Sequence, residues 1–74
     1  MRIDLHGLTL NDAHSLVAEM IEECYYNKEK TIQFITGRSG EIHREFPMWI
    51  ENNSKVRIFE NQGGAFNVTL RKKK

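Results

Sequence analysis

Apolar residues recur along the chain with two different periods, and the longer period marks a helix. From Leu10 to Cys24 they are spaced three and four residues apart, which places them on one face of a helix. Thr9 precedes Asp12 by three residues and resembles a capping box at a helix start. This segment therefore predicts a first helix over Leu10 to Tyr26.

The shorter period is strict alternation of apolar and polar residues, which is typical of strands with one buried face. It occurs in four stretches: Arg2 to Leu5, Thr31 to Ile35, Val56 to Phe59, and Phe66 to Leu70. The last two stretches are joined by Asn61-Gln62-Gly63-Gly64, a glycine-bearing connection that suits an antiparallel hairpin.

A second, shorter apolar stripe predicts a helix over His43 to Asn53. Pro47 falls inside this segment. Proline is tolerated in the first turn of a helix but costs about 3 kcal/mol in the interior. We therefore expect the helix to begin late, near Arg44, or to bend at the proline.

The order of elements is β-α-β-α-β-β, and the alternation decides how they pack. Apolar strand residues can all face one way: Ile3, Leu5, Ile32, Phe34, Val56, Ile58, Phe66, Val68 and Leu70. The other face is then polar, with Arg2, Asp4, Gln33, Arg57, Asn67, Thr69 and Arg71. Both helices should cover the apolar face. The sequence predicts a two-layer α+β sandwich with a four-stranded mixed sheet, as one domain over residues 1–70 followed by a basic tail, 71–74.

Composition narrows the setting of this domain. The chain has 74 residues, of which 39% are hydrophobic and 28% charged, as in soluble globular proteins. No apolar run approaches the roughly 20 residues of a membrane span, so no membrane association is expected. A single cysteine, Cys24, favours a reducing compartment, and we expect a cytoplasmic protein. The net charge of +1 does not by itself point to nucleic acid.

Chemistry-bearing residues gather after the first two strands. Asp4 and His6 lie two positions apart, so a strand places both on one face, about 6–7 Å apart, immediately before Gly7. A second glycine turn, residues 36–40, follows the second strand. Because a helix crossover makes these strands parallel, both turns should emerge at the carboxyl edge of the sheet, where open α/β sheets bind ligands.

Each turn also leads into a helix amino terminus, whose free N–H groups favour an anion. Arg38 adds a full positive charge, so a phosphate group is the expected ligand. Simpler interpretations remain open. In these the glycines serve only the turns, Asp4 is solvated or pairs with Arg2 or Arg57, and His6 only caps its turn. The spacing of the three histidines predicts no zinc site, and His14 and His43 are weaker candidates.

Four segments in this order resemble the Smr (small MutS-related) domain family over nearly the whole chain. Residues 3–9, IDLHGLT, are similar to the family's L-D-L-H-G-x-[TS] opening. Residues 34–37, FITG, are similar to its second motif, T-G-x-G or H-G-x-G. Residues 46–50, FPMWI, and 63–70, GGAFNVTL, are similar to its second helix and closing strand.

The resemblance implies a nucleic-acid-binding module, often a DNA or RNA endonuclease, with a fold like the C-terminal domain of a bacterial translation initiation factor. It places Asp4, His6 and Gly7 on the first motif, and Thr36, Gly37 and Gly40 on the second. Two departures bear on catalysis. Ser39 occupies a usual glycine position, and Ala65-Phe66 replaces the third glycine of the closing motif.

We therefore predict a small nucleic-acid-binding domain with endonuclease activity on DNA or RNA. His6 would be the general acid or base, and Asp4 would orient it or hold a divalent ion such as Mg²⁺. The predicted phosphate-binding set is Gly7, Thr36, Gly37, Arg38, Ser39 and Gly40, with Arg2, Arg57 and Arg71 holding the flanking backbone. Two alternatives stay open: a non-catalytic RNA- or DNA-binding module, associated with ribosomes for instance, and a protein-interaction domain. We expect a monomer or a weak homodimer.

Overall fold

Four strands and two helices follow one another in the order β-α-β-α-β-β. A computed structural model describes residues 1–72, and residues 73 and 74 of the predicted basic tail lie outside the described part. The elements are β1 (Arg2–Asp4), α1 (Leu10–Tyr26), β2 (Thr31–Ile35), α2 (Glu41–Glu51), β3 (Val56–Gln62) and β4 (Ala65–Leu70). Within residues 1–72, neither helix has the length and apolar character needed to cross a membrane.

The strands form one mixed sheet in the order β1-β2-β4-β3. β1 runs parallel to β2, and the other neighbouring pairs are antiparallel. In the register, Arg2 lies opposite Gln33, and Gln33 lies opposite Asn67. The parallel β1–β2 pair brings the ends of both strands to one edge of the sheet.

A single hydrophobic core lies between the sheet and the two helices. α1 contributes Ala13, Val17, Ile21 and Cys24, and α2 contributes Phe46 and Ile50. The Phe46 ring stacks on that of Phe66 at 4.6 Å between centroids and lies 5.3 Å from that of Phe34. Such aromatic pairs add about 0.5–1.5 kcal/mol each to the gain from burial. The predicted two-layer α+β sandwich is confirmed.

Both ends of α1 are capped by hydrogen bonds. At its start, the Thr9 side chain accepts from the N–H of Asp12 at 3.1 Å. At its end, the N–H of Lys28 donates to the Tyr25 carbonyl and that of Glu29 to the Cys24 carbonyl, at 3.2 and 2.9 Å. This Schellman motif requires a left-handed residue, and Lys28 takes that position with φ +63°. A non-glycine residue there costs about 1–2 kcal/mol.

α2 begins earlier than its proline suggests. The N–H of Arg44 donates to the Gly40 carbonyl at 3.1 Å, so the first turn starts at Glu41 and the expected start near Arg44 is wrong. Pro47 is the seventh residue of the helix, which continues to Glu51. Proline removes one backbone hydrogen bond, but the helix is held on both sides of it by the fully buried Phe46 and Ile50.

A β-bulge in β3 reverses the expected alternation of that strand. Val56 lies opposite Leu70, whereas Ile58 lies opposite Thr69, which leaves Arg57 as the additional residue. Ile58 therefore lies on the open face of the sheet with 59% of its surface exposed, and its predicted place on the apolar face is wrong. Phe59 packs against the core instead, with its ring 6.4 Å from that of Phe66.

Candidate functional site

The ends of β1 and β2 and the start of α2 enclose a groove of about 360 Å³. We call it the loop groove. It is lined by residues of the first turn, the second turn and the two helix starts: His6, Gly7, Leu8, Thr9, Leu10, Thr36, Ser39, Gly40, Glu41 and Ile42. The expectation that both glycine turns meet at one edge of the sheet is thus met.

Backbone hydrogen bonds fix the first turn beside β2. The N–H of Leu5 donates to the Ile35 carbonyl at 2.8 Å, which extends the parallel pairing one residue beyond β1. The N–H of Leu8 then donates to the Leu5 carbonyl at 3.2 Å and closes the turn. Because the Leu5 side chain is fully buried, the turn is anchored in the core directly before His6.

His6 is exposed, lines the loop groove and lies beside the second turn. A Cβ atom built on Gly37 would lie 3.7 Å from Cδ2 of the imidazole, so the ring is in contact range of this glycine. Gly37 has φ +84°, a conformation that glycine adopts without the penalty other residues incur. The imidazole and the second turn are therefore immediate neighbours.

Asp4 contacts the main chain of His6. Its Oδ1 accepts from the His6 N–H at 2.8 Å, as in an Asx turn. Asp4 does not line the loop groove, and no ion pair joins it to Arg2 or Arg57 within the described chain. The carboxylate thus fixes the backbone at His6, and its predicted role in orienting the ring stays a prediction.

The second turn is bound to the β3–β4 turn through one carbonyl group. The N–H groups of Thr36 and Gly37 both donate to the carbonyl of Gly64, each at 2.9 Å. The Gly37 N–H therefore already has an acceptor within the chain, and the role of Gly37 in binding a phosphate stays a prediction. The two turns are in close backbone contact here, since a Cβ built on Gly64 would lie 3.4 Å from the carbonyl carbon of Gly37.

Thr36 is the one buried polar residue among residues 1–72, with 4% of its surface exposed. Its hydroxyl lies 3.1 Å from Nδ1 of His43, 2.9 Å from the Gly37 carbonyl and 3.4 Å from the Gly64 carbonyl. The His43 ring also packs against Phe66, at 5.4 Å between centroids. Thr36 and His43 together tie the second turn to α2 and the core.

This Thr36–His43 contact was missed by sequence reasoning, which ranked His43 as a weak candidate. The available signal was its position, seven residues after Thr36 and in the first turn of the next helix. The late start expected for α2 concealed that signal, because it placed His43 outside the regular helix.

The amino terminus of α2 supplies the free backbone donors of the loop groove. Gly40 caps the helix without a side-chain hydrogen bond, and the first intrahelical bond comes from Arg44. Within the described chain, the N–H groups of residues 41–43 have no partner in that first turn. A helix start with free N–H groups favours an anion. The Glu41 carboxylate lies in the same turn, 4.0 Å from Arg44, and lines the groove.

None of the four predicted arginines lies in the loop groove. The Arg38 stem covers the β3–β4 turn, with Cγ 3.4 Å from the place of a Cβ on Gly64. Arg2 lies on the open sheet face opposite Gln33, and Arg57 and Arg71 line a different depression at the other end of the sheet. Of the predicted phosphate-binding residues, the structure brings together those of both turns: Gly7, Thr36, Ser39 and Gly40, with Gly37 adjacent to His6.

The donor set does not fit a dedicated metal centre. Within residues 1–72, no three histidine, cysteine, aspartate or glutamate side chains are grouped so that they could hold an ion. One Oδ of Asp4 already accepts a backbone hydrogen bond, and Mg²⁺ sites usually combine one or two carboxylates with water and phosphate.

Comparison with known proteins agrees with this architecture. The family model for the Smr domain matches residues 3–71. The crystal structure of the Smr domain of Thermus thermophilus MutS2 superposes with a TM-score of 0.88 at 25% sequence identity, covering 95% of this chain and 96% of that chain. A search of curated proteins found no match. The family match spans nearly the whole domain and the fold agrees with it, so this chain belongs to the Smr family of small nucleic-acid-associated domains.

Proposed function

We propose that this domain binds DNA or RNA with a phosphate group in the loop groove and cleaves a phosphodiester bond there. One observation carries the proposal. The only imidazole lining the groove in the described chain, that of His6, faces the same space as the uncapped start of α2. A proton-transfer group and a set of anion-binding donors are thus available to one ligand.

The chemistry assigns a different task to each part of the groove. The His6 imidazole takes a proton from the attacking oxygen, which is a water molecule or, in RNA, a 2′-hydroxyl group. The N–H groups at residues 41–43 stabilise the negative charge that grows on the phosphate oxygens. Solvent water supplies the proton to the leaving oxygen, because Glu41, the second titratable side chain lining the groove, is a carboxylate beside Arg44.

Two further residues position the imidazole. Asp4 holds the His6 backbone through its 2.8 Å hydrogen bond, so the residue leaves the strand in a fixed direction. Gly37, with φ +84°, turns the chain beside the ring, where the place of a Cβ lies at van der Waals distance, 3.7 Å, from Cδ2. Neither residue needs to touch the substrate for this role.

A second function, nucleic-acid binding without cleavage, is favoured by two specific observations. The Gly37 N–H is used by Gly64, so the second motif offers fewer donors than its sequence suggests. Ser39, at a usual glycine position of the family motif, lines the groove with a side chain. A groove that seats a phosphate but lacks one stabilising donor binds without accelerating cleavage.

The test compares His6→Gln with His14→Gln. His14 is an exposed histidine outside the loop groove, so its variant controls for the loss of an imidazole. Each protein is incubated with labelled structured RNA, single-stranded RNA and supercoiled DNA, with and without Mg²⁺, and binding is measured in parallel. We expect His6→Gln to lose about 10²–10⁴-fold in cleavage rate while its affinity stays within a few-fold.

Each pattern of results has a distinct meaning. Wild-type protein that binds but cleaves no substrate supports the non-catalytic module. Cleavage that His6→Gln leaves intact removes His6 from the chemistry. A wild-type protein that binds none of these nucleic acids at about 50 mM salt, where phosphate contacts are strong, refutes the proposed function itself.

A further inference from the structure

Positive charge is concentrated at the end of the sheet opposite the loop groove. The α1–β2 connection, the bulge of β3 and the segment after β4 enclose a depression of about 630 Å³ there, which we call the basic groove. Its charged lining residues are Lys28, Glu29, Lys30, Arg57, Arg71 and Lys72. Thr69 and Leu70 complete the lining at the end of β4.

The balance of charge between the two grooves is uneven. The basic groove has five cations against one carboxylate, a net charge of +4. Since the whole chain has a net charge of only +1, the remaining residues have a net charge of −3. Within the described chain, no lysine or arginine lines the loop groove, and Glu41 does. A polyanion is therefore attracted mainly to the basic groove.

Backbone hydrogen bonds build the basic groove from distant parts of the chain. The N–H of Leu70 donates to the Lys30 carbonyl at 2.9 Å, and the N–H of Arg71 donates to the Lys55 carbonyl at 2.8 Å. These bonds hold the segment after β4 between the α1–β2 connection and the start of β3. The cations of the basic groove therefore come from several segments that backbone hydrogen bonds hold together.

Lys28 gives an independent indication that the charge of the groove matters. It occupies the left-handed position of the Schellman motif with φ +63°, where glycine is the favoured residue. The chain thus has a strained cation at a position where glycine would hold the same turn more stably. Strain of this kind persists where the side chain serves another purpose, and here that side chain lines the basic groove.

We propose that the basic groove is a second phosphate-binding site, which holds the backbone of a nucleic acid whose cleaved or bound phosphate lies in the loop groove. The proposal rests on the proposed function, since it requires that the domain binds nucleic acid. Lys30 and Thr36 lie at the two ends of β2 and are six residues apart. At the rise of a β-strand, the two grooves are therefore roughly 20 Å apart.

This separation sets the length of ligand that reaches both sites. Along a duplex, 20 Å corresponds to about six base pairs at 3.4 Å each. Ligands much shorter than this contact one groove at a time. Longer ligands contact both, so affinity should rise steeply with length around six base pairs and then level off.

The experiment measures the salt dependence of binding for single-charge variants. Fluorescence anisotropy is recorded with labelled 20-base-pair duplexes of DNA and RNA at several salt concentrations. We expect Lys28→Gly, Arg57→Gln and Arg71→Gln each to reduce the slope of log K against log salt by about 0.9, which lowers affinity roughly eightfold at 0.1 M salt. Arg44→Gln, an exposed arginine of α2 that lines neither groove, is the control and should leave the slope unchanged.

Lys28→Gly separates binding from folding. Because glycine relieves the left-handed strain, this variant should have a Tm a few degrees above that of wild type and yet bind more weakly. Lys28→Asn, which removes the charge and tolerates the same conformation, should bind as weakly as Lys28→Gly. A more stable protein with weaker binding cannot be explained by damage to the fold.

The outcomes distinguish this inference from the proposed function. Wild-type binding with basic-groove variants that behave like Arg44→Gln would overturn the second site and leave the loop groove intact. An absence of any wild-type binding would overturn both. Equal displacement of the duplex by polyglutamate, at the same concentration of charge, would overturn the assignment of phosphate as the ligand of the basic groove.

Discussion

Replacing Thr36 by valine tests whether the second turn is held in place by a buried hydroxyl group. Valine keeps the shape and the β-branch of threonine but removes the oxygen. In the native structure that oxygen lies 3.1 Å from Nδ1 of His43 and within 3.4 Å of two carbonyl groups. Only 4% of the residue is exposed, so water cannot readily replace the lost group.

The expected loss follows from which partners stay unsatisfied. Leaving a buried polar group without a hydrogen bond costs about 1–3 kcal/mol. The Gly64 carbonyl keeps its two bonds from the N–H groups of Thr36 and Gly37, and the half-buried His43 can reach solvent. Because these groups keep other partners, we expect Thr36→Val to lower the free energy of unfolding by about 1–2 kcal/mol, the lower half of that range. For a domain of this size, each kcal/mol lowers Tm by about 4–8 °C.

Urea unfolding followed by Trp49 fluorescence measures this loss directly. The matched control is Thr31→Val, which changes the exposed threonine at the start of β2, the strand that Thr36 follows, and should stay within about 0.5 kcal/mol of wild type. A double-mutant cycle with His43→Phe should show a coupling energy of at least about 0.5 kcal/mol. A Thr36→Val protein as stable as the control, or a coupling of zero, would refute the reasoning.

Two further predictions concern the bulge and the buried thiol. Phe59→Ala should lower the free energy of unfolding by about 2 kcal/mol, whereas Ile58→Ala should change it by less than about 0.5 kcal/mol, and a reversed order in urea unfolding would contradict the bulge. Burial, with a smaller contribution from Glu29, raises the pKa of the Cys24 thiol. The unfolded chain therefore loses this proton first, and stability should fall as the pH rises past the ordinary pKa of a thiol, a fall that Cys24→Ala should not show in unfolding curves measured across alkaline pH.

The fold could be predicted from the sequence wherever local pattern and packing agree. The period of α1 gave its bounds at Leu10 and Tyr26, and alternation gave β2 without error, because both elements bury one regular face. The predicted alternation was wrong in β3. The sequence Val56-Arg57-Ile58 alternates as an ordinary strand does, although Arg57 is the additional residue of a bulge. The position of the bulge depends on how β3 pairs with β4, and the sequence of β3 alone does not indicate that register.

The candidate site was predictable in its location but not in its hydrogen bonds. Parallel β1 and β2 had to bring His6 and the second turn to one edge, and they do. The hydrogen bond from the Gly37 N–H to the Gly64 carbonyl could not be predicted, because it joins residues 27 positions apart along the chain. Two residues of the basic groove, Arg57 and Arg71, were predicted to hold a nucleic-acid backbone. Lys28 and Lys30 were missed, because they line the same groove only through sheet pairing.

The double hydrogen bond at Gly64 has a consequence for exchanging segments between Smr domains. One oxygen fixes the second turn against the hairpin tip, where the two backbones are in close contact. The two segments therefore form a single transplantable unit. A chimera that receives a foreign 36–40 segment without its companion at 63–64 would keep a folded sheet but present the borrowed segment in the wrong orientation.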